Sequence, residues 1–347
     1  MIPHSAPTIN DRMIKAVAAS IRTGQVSAGP QVAAFEKAFT LKFALPAAAV
    51  SSGTAALHLA LAALGIGPRD EVVLPTYVCT ALLNAINYVG AKPVLTDVDP
   101  VDGNITAAEV KKKMTRRTKA VLVPHMFGVP ADMKALVALG VPLIEDCAQA
   151  VGAKVGGRLT GTMGRVSIFS FYATKMMTTG EGGMVVSSDK KLMGRVRDLL
   201  SYDHRPQYQV RFNYKMTDMQ AALGLMQLEM LDAFISRRRK IAAYYDARLQ
   251  EAGCVLPTQR AGVDPAYYRY VVRVRSAERA IAAMAKKDVA CARPLFRTLH
   301  QYLKIKGFTA ADRLMRENIS LPLYPGLSDA RAKIVADAFR EVLGGAQ

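Results

Sequence analysis

The sequence predicts an α/β protein, in which a large three-layer α/β/α domain on a mainly parallel sheet precedes a smaller C-terminal α+β domain. Three observations predict this. The chain has 347 residues, more than one ordinary core accommodates. From residue 47 to residue 186, short apolar runs alternate with amphipathic segments, the pattern of a sheet covered by helices on both faces. Beyond about residue 254 that rhythm gives way to one alternating strand, two helices and a Pro- and aromatic-rich connection. These features place the domains at 1–240 and 241–347.

The elements follow from local pattern. Met13, Ala16, Val17 and Ile21 recur at helical spacing and predict a helix over 9–22, with Asn10 as its cap. Gly24 and Gly29-Pro30 interrupt it, and a second helix over 31–43 sets Val32, Phe35 and Phe39 on one face. A short apolar strand from Ala47 leads through Ser52-Gly53-Thr54 into an Ala- and Leu-rich helix that reaches Leu64. Strands at 71–74, 93–95, 120–123 and 141–144 then alternate with helices at 79–88, 107–114 and 131–139. Ile168, Phe169, Phe171 and Tyr172 predict a buried strand ending at Thr174-Lys175. The turn Gly180-Glu181-Gly182-Gly183 and the apolar run Met184-Val185-Val186 follow. A helix over 190–200 precedes an aperiodic polar and aromatic segment, 201–214. A proline-free helix from about 217 to 248 is long enough to cross between domains or to form an oligomer face. The C-terminal part offers a strand at 268–274, helices at 277–286 and 329–342, and the connection 292–326.

Composition narrows the function. The chain is 51% apolar and 21% charged, so it is globular rather than disordered. Its net charge of +18 raises the question of nucleic acid. The basic residues are dispersed, however. The short clusters, Lys111 to Lys113 and Arg237 to Lys240, fall on helices or helix ends, where a solvated face accounts for them. No aromatic–basic interleaving and no zinc finger is present, so nucleic acid is not the expected partner. A basic surface equally steers small anionic substrates inward. The four cysteines are scattered without a C-x-x-C pair, which argues against a zinc site or a disulfide framework. No metal is expected. The start, MIPHSAPTIN, lacks the charge and apolar run of a signal peptide, and the apolar stretch at 55–66 is too short to span a bilayer. A cytoplasmic protein is expected.

Ligands of open parallel sheets sit at the carboxyl ends of the strands. The polar residues there are Tyr77, His125, Asp146, Ser170 and Lys175. Neither G-x-G-x-x-G nor G-x-x-x-x-G-K-[ST] occurs, so the dinucleotide and P-loop readings have no fingerprint. The Ser52-Gly53-Thr54 turn at a helix start gathers amides and hydroxyls into an anion site, or it simply caps the helix. Asp146 alone reads as a strand-end cap, and Lys175 alone as a solvated lysine. Together they suggest more. A lysine can form a Schiff base with an aldehyde cofactor, a carboxylate can keep a pyridine nitrogen protonated, and a phosphate cup can anchor the far end. Those are the parts of a pyridoxal phosphate site.

SSGTAALHLALAALGIGPRDEVVLPTY, GAKPVLTDVDP, LIEDCAQAVGA, SIFSFYATKMMTTGEGGMVVSSD, FNYKMTDMQAALGLMQLEML and ISLPLYPGLSD occur in this order. They look like the DegT/StrS-type sugar aminotransferases, fold type I pyridoxal phosphate enzymes of the aspartate aminotransferase superfamily, over most of the chain. The resemblance implies that Lys175 carries the cofactor and then moves protons, and that Asp146 pairs with the ring nitrogen. It implies that Gln149 lies near the ring hydroxyl and that Gly53, Thr54 and Ser170 hold the phosphate. Asn213 would reach the cofactor phosphate of the neighbouring protomer, which makes the active unit a homodimer with shared sites. Glu181 and His300 would approach the substrate. The family often has an aromatic residue on the cofactor ring four positions after the strand-end proline; here Cys79 stands there, so either Tyr77 stacks instead or the face is covered differently. Ala173 replaces a common proline. Some relatives replace the lysine with histidine and dehydrate sugars; Lys175 favours transamination. The expected reaction moves an amino group from an amino acid, glutamate, to a keto group of a nucleotide-linked deoxysugar, as in amino sugar and polysaccharide biosynthesis. A cyclitol-like ketone as acceptor, or a non-catalytic cofactor-binding regulator, are the competing readings.

Overall fold

The computed structural model describes residues 1–250, 256 and 260–344. Cys254, near which the sequence pattern changes, lies outside the described residues. The first helices are α1 (Asp11–Arg22) and α2 (Pro30–Phe43). Asn10 caps α1 by accepting the Met13 amide at 3.0 Å. Asp218, fully buried, accepts the amides of Gly29, Gln31 and Val32, so one carboxylate satisfies the start of α2.

The large-domain core elements are β1 (Ala47–Val50), α3 (Gly53–Ala63), β2 (Glu71–Pro75), α4 (Thr80–Tyr88) and β3 (Lys92–Thr96). Then come α5 (Ala107–Lys113), β4 (Thr118–Pro124), α6 (Met133–Val137) and β5 (Leu143–Asp146). Two short strands, β6 (Lys154–Val155) and β7 (Arg158–Leu159), precede β8 (Val166–Ser170) and β9 (Gly183–Val186). The seven-stranded sheet has the order β1-β9-β8-β5-β4-β2-β3, and β9 alone runs antiparallel to its two neighbours. The expected mainly parallel sheet is therefore present. Its strands alternate between two covers. Ala48, Val50, Ala120 and Leu122 face a cluster with α3 and α4, whereas Ala47, Ala49, Val121 and Val123 face the opposite side.

After α7 (Lys190–Leu199) the chain enters α8 (Asp218–Gln250), a helix of 33 residues. Leu228, Leu231 and Ile235 belong to the large-domain core, and Ile241, Ala242, Tyr245 and Leu249 to a separate one. The long helix thus enters both cores. The rest is β10 (Val263–Asp264), β11 (Tyr270–Arg273), α9 (Ala277–Ala285), α10 (Leu299–Tyr302), α11 (Thr309–Glu317), β12 (Asn318–Leu321) and α12 (Asp329–Gly344).

Three expectations are corrected. The strand before Lys175 ends at Ser170 rather than continuing through Tyr172, which is exposed, because the chain turns where Phe171 accepts the Thr179 amide. The strand read at 141–144 sits two residues later and takes in Glu145 and Asp146. The connection 292–326 contains α10, α11 and β12, and β12 pairs antiparallel with β11. Strand β12 has four residues, too few for its period to stand out from its Pro-rich flank. Ile2 also joins the C-terminal core, through a bridge to Val289.

Candidate active site

The carboxyl ends of β2, β4, β5 and β8 lie along one edge of the sheet, with Pro124 beside Asp146 and Asp146 beside Ile168 in the strand register. The antiparallel β9 places Gly183 opposite both Val50 and Ser170. A Cβ at Gly183 would sit 2.6 Å from the Ser52 carbonyl oxygen, so only glycine lets the turn close against the Ser52-Gly53-Thr54 corner. At that corner Ser52 caps α3 by accepting the Ala55 amide. Gly53 and Thr54 begin the helix, so their amides have no acceptor within it. A Cβ at Gly53 would come within 2.7 Å of the Ser170 Cβ, so Gly53 and Ser170 are in direct apposition. Two free amides, a threonine hydroxyl and a serine hydroxyl form a cup of the right chemistry for a phosphate.

Asp146 ends β5 and is buried. Its Oδ1 accepts the Ala148 amide at 2.9 Å, and Oδ2 has no hydrogen-bond partner among the described residues. Burial pushes its carboxyl above the ordinary range, and the Ala148 amide, Lys175 and His125 offset this only in part. A buried acid with one oxygen free suits a ring nitrogen that brings its own proton. Lys175 follows β8 in a tight turn, its amide donating to the Tyr172 carbonyl at 2.9 Å. Its charge acts on Asp146 and on Cys79.

Cys79 stands at the N-terminal end of α4, solvent-accessible yet surrounded by protein. Burial raises its thiol pKa, Lys175 lowers it and Asp146 raises it further. Tyr77, by contrast, is fully buried; its hydroxyl accepts from Asn318 at 3.3 Å, and its ring meets Phe127 edge-on. The alternative that Tyr77 stacks on the cofactor is therefore corrected. Tyr77 is a core residue, whereas Cys79 is exposed.

Gln149 accepts the Phe127 amide through Oε1 at 2.9 Å, which leaves its Nε2 as the donor for a ligand. His125 is structural. Its Nδ1 accepts the Ala131 amide, and Nε2 lies 3.1 Å from Glu145. Burial alone would raise the Glu145 pKa, but His125 and the amides of Gly161 and Gly164 hold it below the usual range. Glu181 is exposed, and its carbonyl accepts from Gln220 at 2.9 Å, so the backbone is held while the carboxylate faces solvent. Asn213 is exposed between Phe212 and Tyr214, which stack on each other and pack on His58.

His300 is corrected. It is buried, its ring nitrogens are 2.8 Å from the Thr76 hydroxyl and 3.0 Å from Asp312, and its ring stacks on Phe308. It braces the loop that leads to Cys79 and has no ring nitrogen left for a substrate. One site residue had no local signal. Tyr268 lies 94 positions after Thr174, yet their hydroxyls are 3.3 Å apart, and the Lys175 Nζ lies 5.2 Å from the Tyr268 ring centroid.

The aminotransferase TlmJ from Streptoalloteichus hindustanus superposes with a TM-score of 0.94 at 35% identity, with 100% of both chains covered. Spr1654 from Streptococcus pneumoniae, solved in its PLP-form, superposes with a TM-score of 0.93 at 25% identity, covering 100% of this chain and 99% of that one. GDP-perosamine synthase from Escherichia coli O157:H7 is 37% identical over 311 residues, 85% of each chain. The model of the DegT/DnrJ/EryC1/StrS aminotransferase family matches residues 7–340. With nearly the whole chain matched and the strand-end site in place, this protein belongs to the DegT/DnrJ/EryC1/StrS aminotransferase family.

Proposed function

We propose that this aminotransferase moves an amino group from an amino acid, with glutamate as the donor, to the keto group of a nucleotide-linked deoxysugar. The observation that carries the reading is a buried Asp146, with one oxygen on the Ala148 amide and the other free, within electrostatic reach of Lys175. Similarity to a GDP-perosamine synthase supports the nucleotide-linked acceptor. The net charge of +18 suits a diphosphate-bearing substrate.

Pyridoxal phosphate, the family's cofactor, supplies an electron sink next to the substrate nitrogen. Lys175 would carry it and exchange protons at the substrate carbon. Asp146 Oδ2 would accept the ring N–H. Gly53, Thr54 and Ser170 would hold the phosphate, Gln149 would donate near the ring hydroxyl, and Cys79 would cover one ring face. Glu181 remains the candidate on the substrate side. The test uses purified protein loaded with pyridoxal phosphate. Glutamate should bleach its visible band and release one equivalent of the keto acid, and a nucleotide-linked keto-deoxysugar should restore the band. A band indifferent to every amino donor would make the protein a regulator. Recovery with a free cyclitol ketone alone would overturn the acceptor class.

The active unit we propose is a homodimer. Asn213 is exposed in a segment where Tyr208 and Val210 also stand in solvent, 96% and 68% exposed, an apolar surface for a second copy. If Asn213 serves the partner's site, mixing inactive Lys175→Ala and Asn213→Ala proteins should regenerate roughly a quarter of wild-type activity, since half the dimers are mixed and each has one intact site. No recovery on mixing would place Asn213 in its own protomer's site or outside any site. The proposed division near residue 240 is supported by the separate core that gathers Ile241, Tyr245, Tyr270, Ile319 and Phe339. We place the enzyme in the cytoplasm, where thiols such as Cys79, Cys147 and Cys291 stay free. Among the described residues no helix is long and apolar enough to cross a membrane.

A further inference from the structure

We propose that Tyr268 is the positioning residue for Lys175: its ring face holds the lysine ammonium whenever that amine is not covalently engaged, and the N-terminal segment fixes the ring through Arg269. The inference rests on the reading of Lys175 as the reactive amine. The Lys175 Nζ lies 5.2 Å from the ring centroid, within cation–π range. Thr174, the residue before the lysine, sets its hydroxyl 3.3 Å from the Tyr268 hydroxyl. Two adjacent residues of the β8–β9 turn thus rest on one tyrosine.

Tyr268 is held by its backbone. The Ala266 amide donates to Gly128 at 2.9 Å and the Arg269 amide to Phe127 at 3.2 Å. The approach is so close that a Cβ at Gly128, whose φ is +89°, would lie 2.7 Å from the Tyr268 nitrogen. From the other side, the buried Arg238 donates to the carbonyls of Tyr267, Tyr268 and Leu323. The same Phe127 donates its amide to Gln149, so the tyrosine and a cofactor-side glutamine share one support.

Arg269 sits 5.0 Å from the ring centroid and is itself pinned, with Nη1 3.0 Å from His4 Nε2. His4 is also 2.9 Å from the Ser320 hydroxyl. Burial and the Arg269 charge lower the His4 pKa to about 4, so it is neutral at pH 7 and can accept from the guanidinium. The segment is anchored two residues earlier, where Ile2 is buried and Ala290 donates to its carbonyl at 2.9 Å. Burial alone would raise the Tyr268 hydroxyl pKa, but Lys175, Arg269, Thr174 and Arg238 bring it below the ordinary value. The tyrosine therefore stands in a field of cations that it compensates. The other groups acting on Lys175 are Asp146 at the end of β5 and Cys79 before α4.

A π face holding an ammonium stabilises it by a factor of about 2 to 30 over the released amine. The test is acetic anhydride labelling of Lys175 in the full-length, cofactor-free protein at pH 7, read by mass spectrometry of its peptide. This reads the amine directly, so the outcome is independent of whether Lys175 takes a cofactor. Tyr268→Leu and Tyr268→Met should label Lys175 about 2- to 30-fold faster than wild type. Tyr268→Phe, which keeps the face and loses only the hydroxyl, should stay within about twofold of wild type. A wild-type labelling rate in either apolar variant, with wild-type circular dichroism, would overturn the proposal. So would a Tyr268→Phe protein that labels as fast as the proposal expects of the apolar variants.

Discussion

Lys175→Ala is expected to lose amino transfer by at least about a thousandfold, since both the covalent anchor and the proton carrier go with one side chain. Cofactor titration should give no lysine-dependent visible band. The fold should survive. Lys175 is only partly buried, and it enters the C-terminal unit through a ring contact rather than a buried ion pair. Its removal should therefore change stability by no more than about 1 kcal/mol. Three measurements check this: steady-state rates, the absorbance spectrum with added cofactor, and thermal melting. Wild-type turnover in the variant, or borohydride trapping of the cofactor on a different lysine, would refute the assignment.

Asp146→Asn should have two effects of opposite sign. Activity should fall roughly 10²- to 10³-fold, because the charge that keeps the ring nitrogen protonated is lost from a site shielded from water. The cofactor-free protein, however, should become more stable near pH 7, by about 1–2 kcal/mol, the scale of an uncompensated buried polar group. The sign follows from the raised folded-state pKa of Asp146. A carboxyl that holds its proton more tightly when folded contributes stability below its unfolded value, and that contribution is lost as pH rises through the folded one. Asparagine cannot ionise and keeps an oxygen for the Ala148 amide, so it escapes the loss. Below about pH 4 the aspartate is protonated in both states and the two proteins should converge. Melting of both cofactor-free proteins from pH 4 to pH 8 tests this; an asparagine variant that is less stable at pH 7 would show that the carboxylate is already compensated.

Much of the site was legible because its signals are local. Gly53 and Thr54 stand at a helix start, Asp146 at a strand end and Lys175 just past another, and sheet architecture brings such ends to one edge. His300 misled because a histidine in a polar loop looks the same whether it faces a ligand or, as here, braces Thr76 and Asp312. Tyr77 and Cys79 illustrate the same limit. They are two residues apart, yet one is fully buried and the other is exposed, a difference set by the turn into α4. Tyr268 could not be found at all from its neighbours in the chain, since its partners come from the β8–β9 turn and the N-terminus.

By itself the sequence determined the α/β class, the order of most elements and the family, and it suggested the lysine–aspartate–anion-turn chemistry. These depend on periodicity, on caps and on residues whose chemistry does not change with context. Only the tertiary structure decided what surrounds the lysine: Tyr77 buried while Cys79 is exposed, His300 turned inward, and Tyr268 with Arg269 and His4 behind it. Those contacts join residues that are far apart in the chain, and their side-chain directions depend on packing between the two cores, which no local pattern encodes.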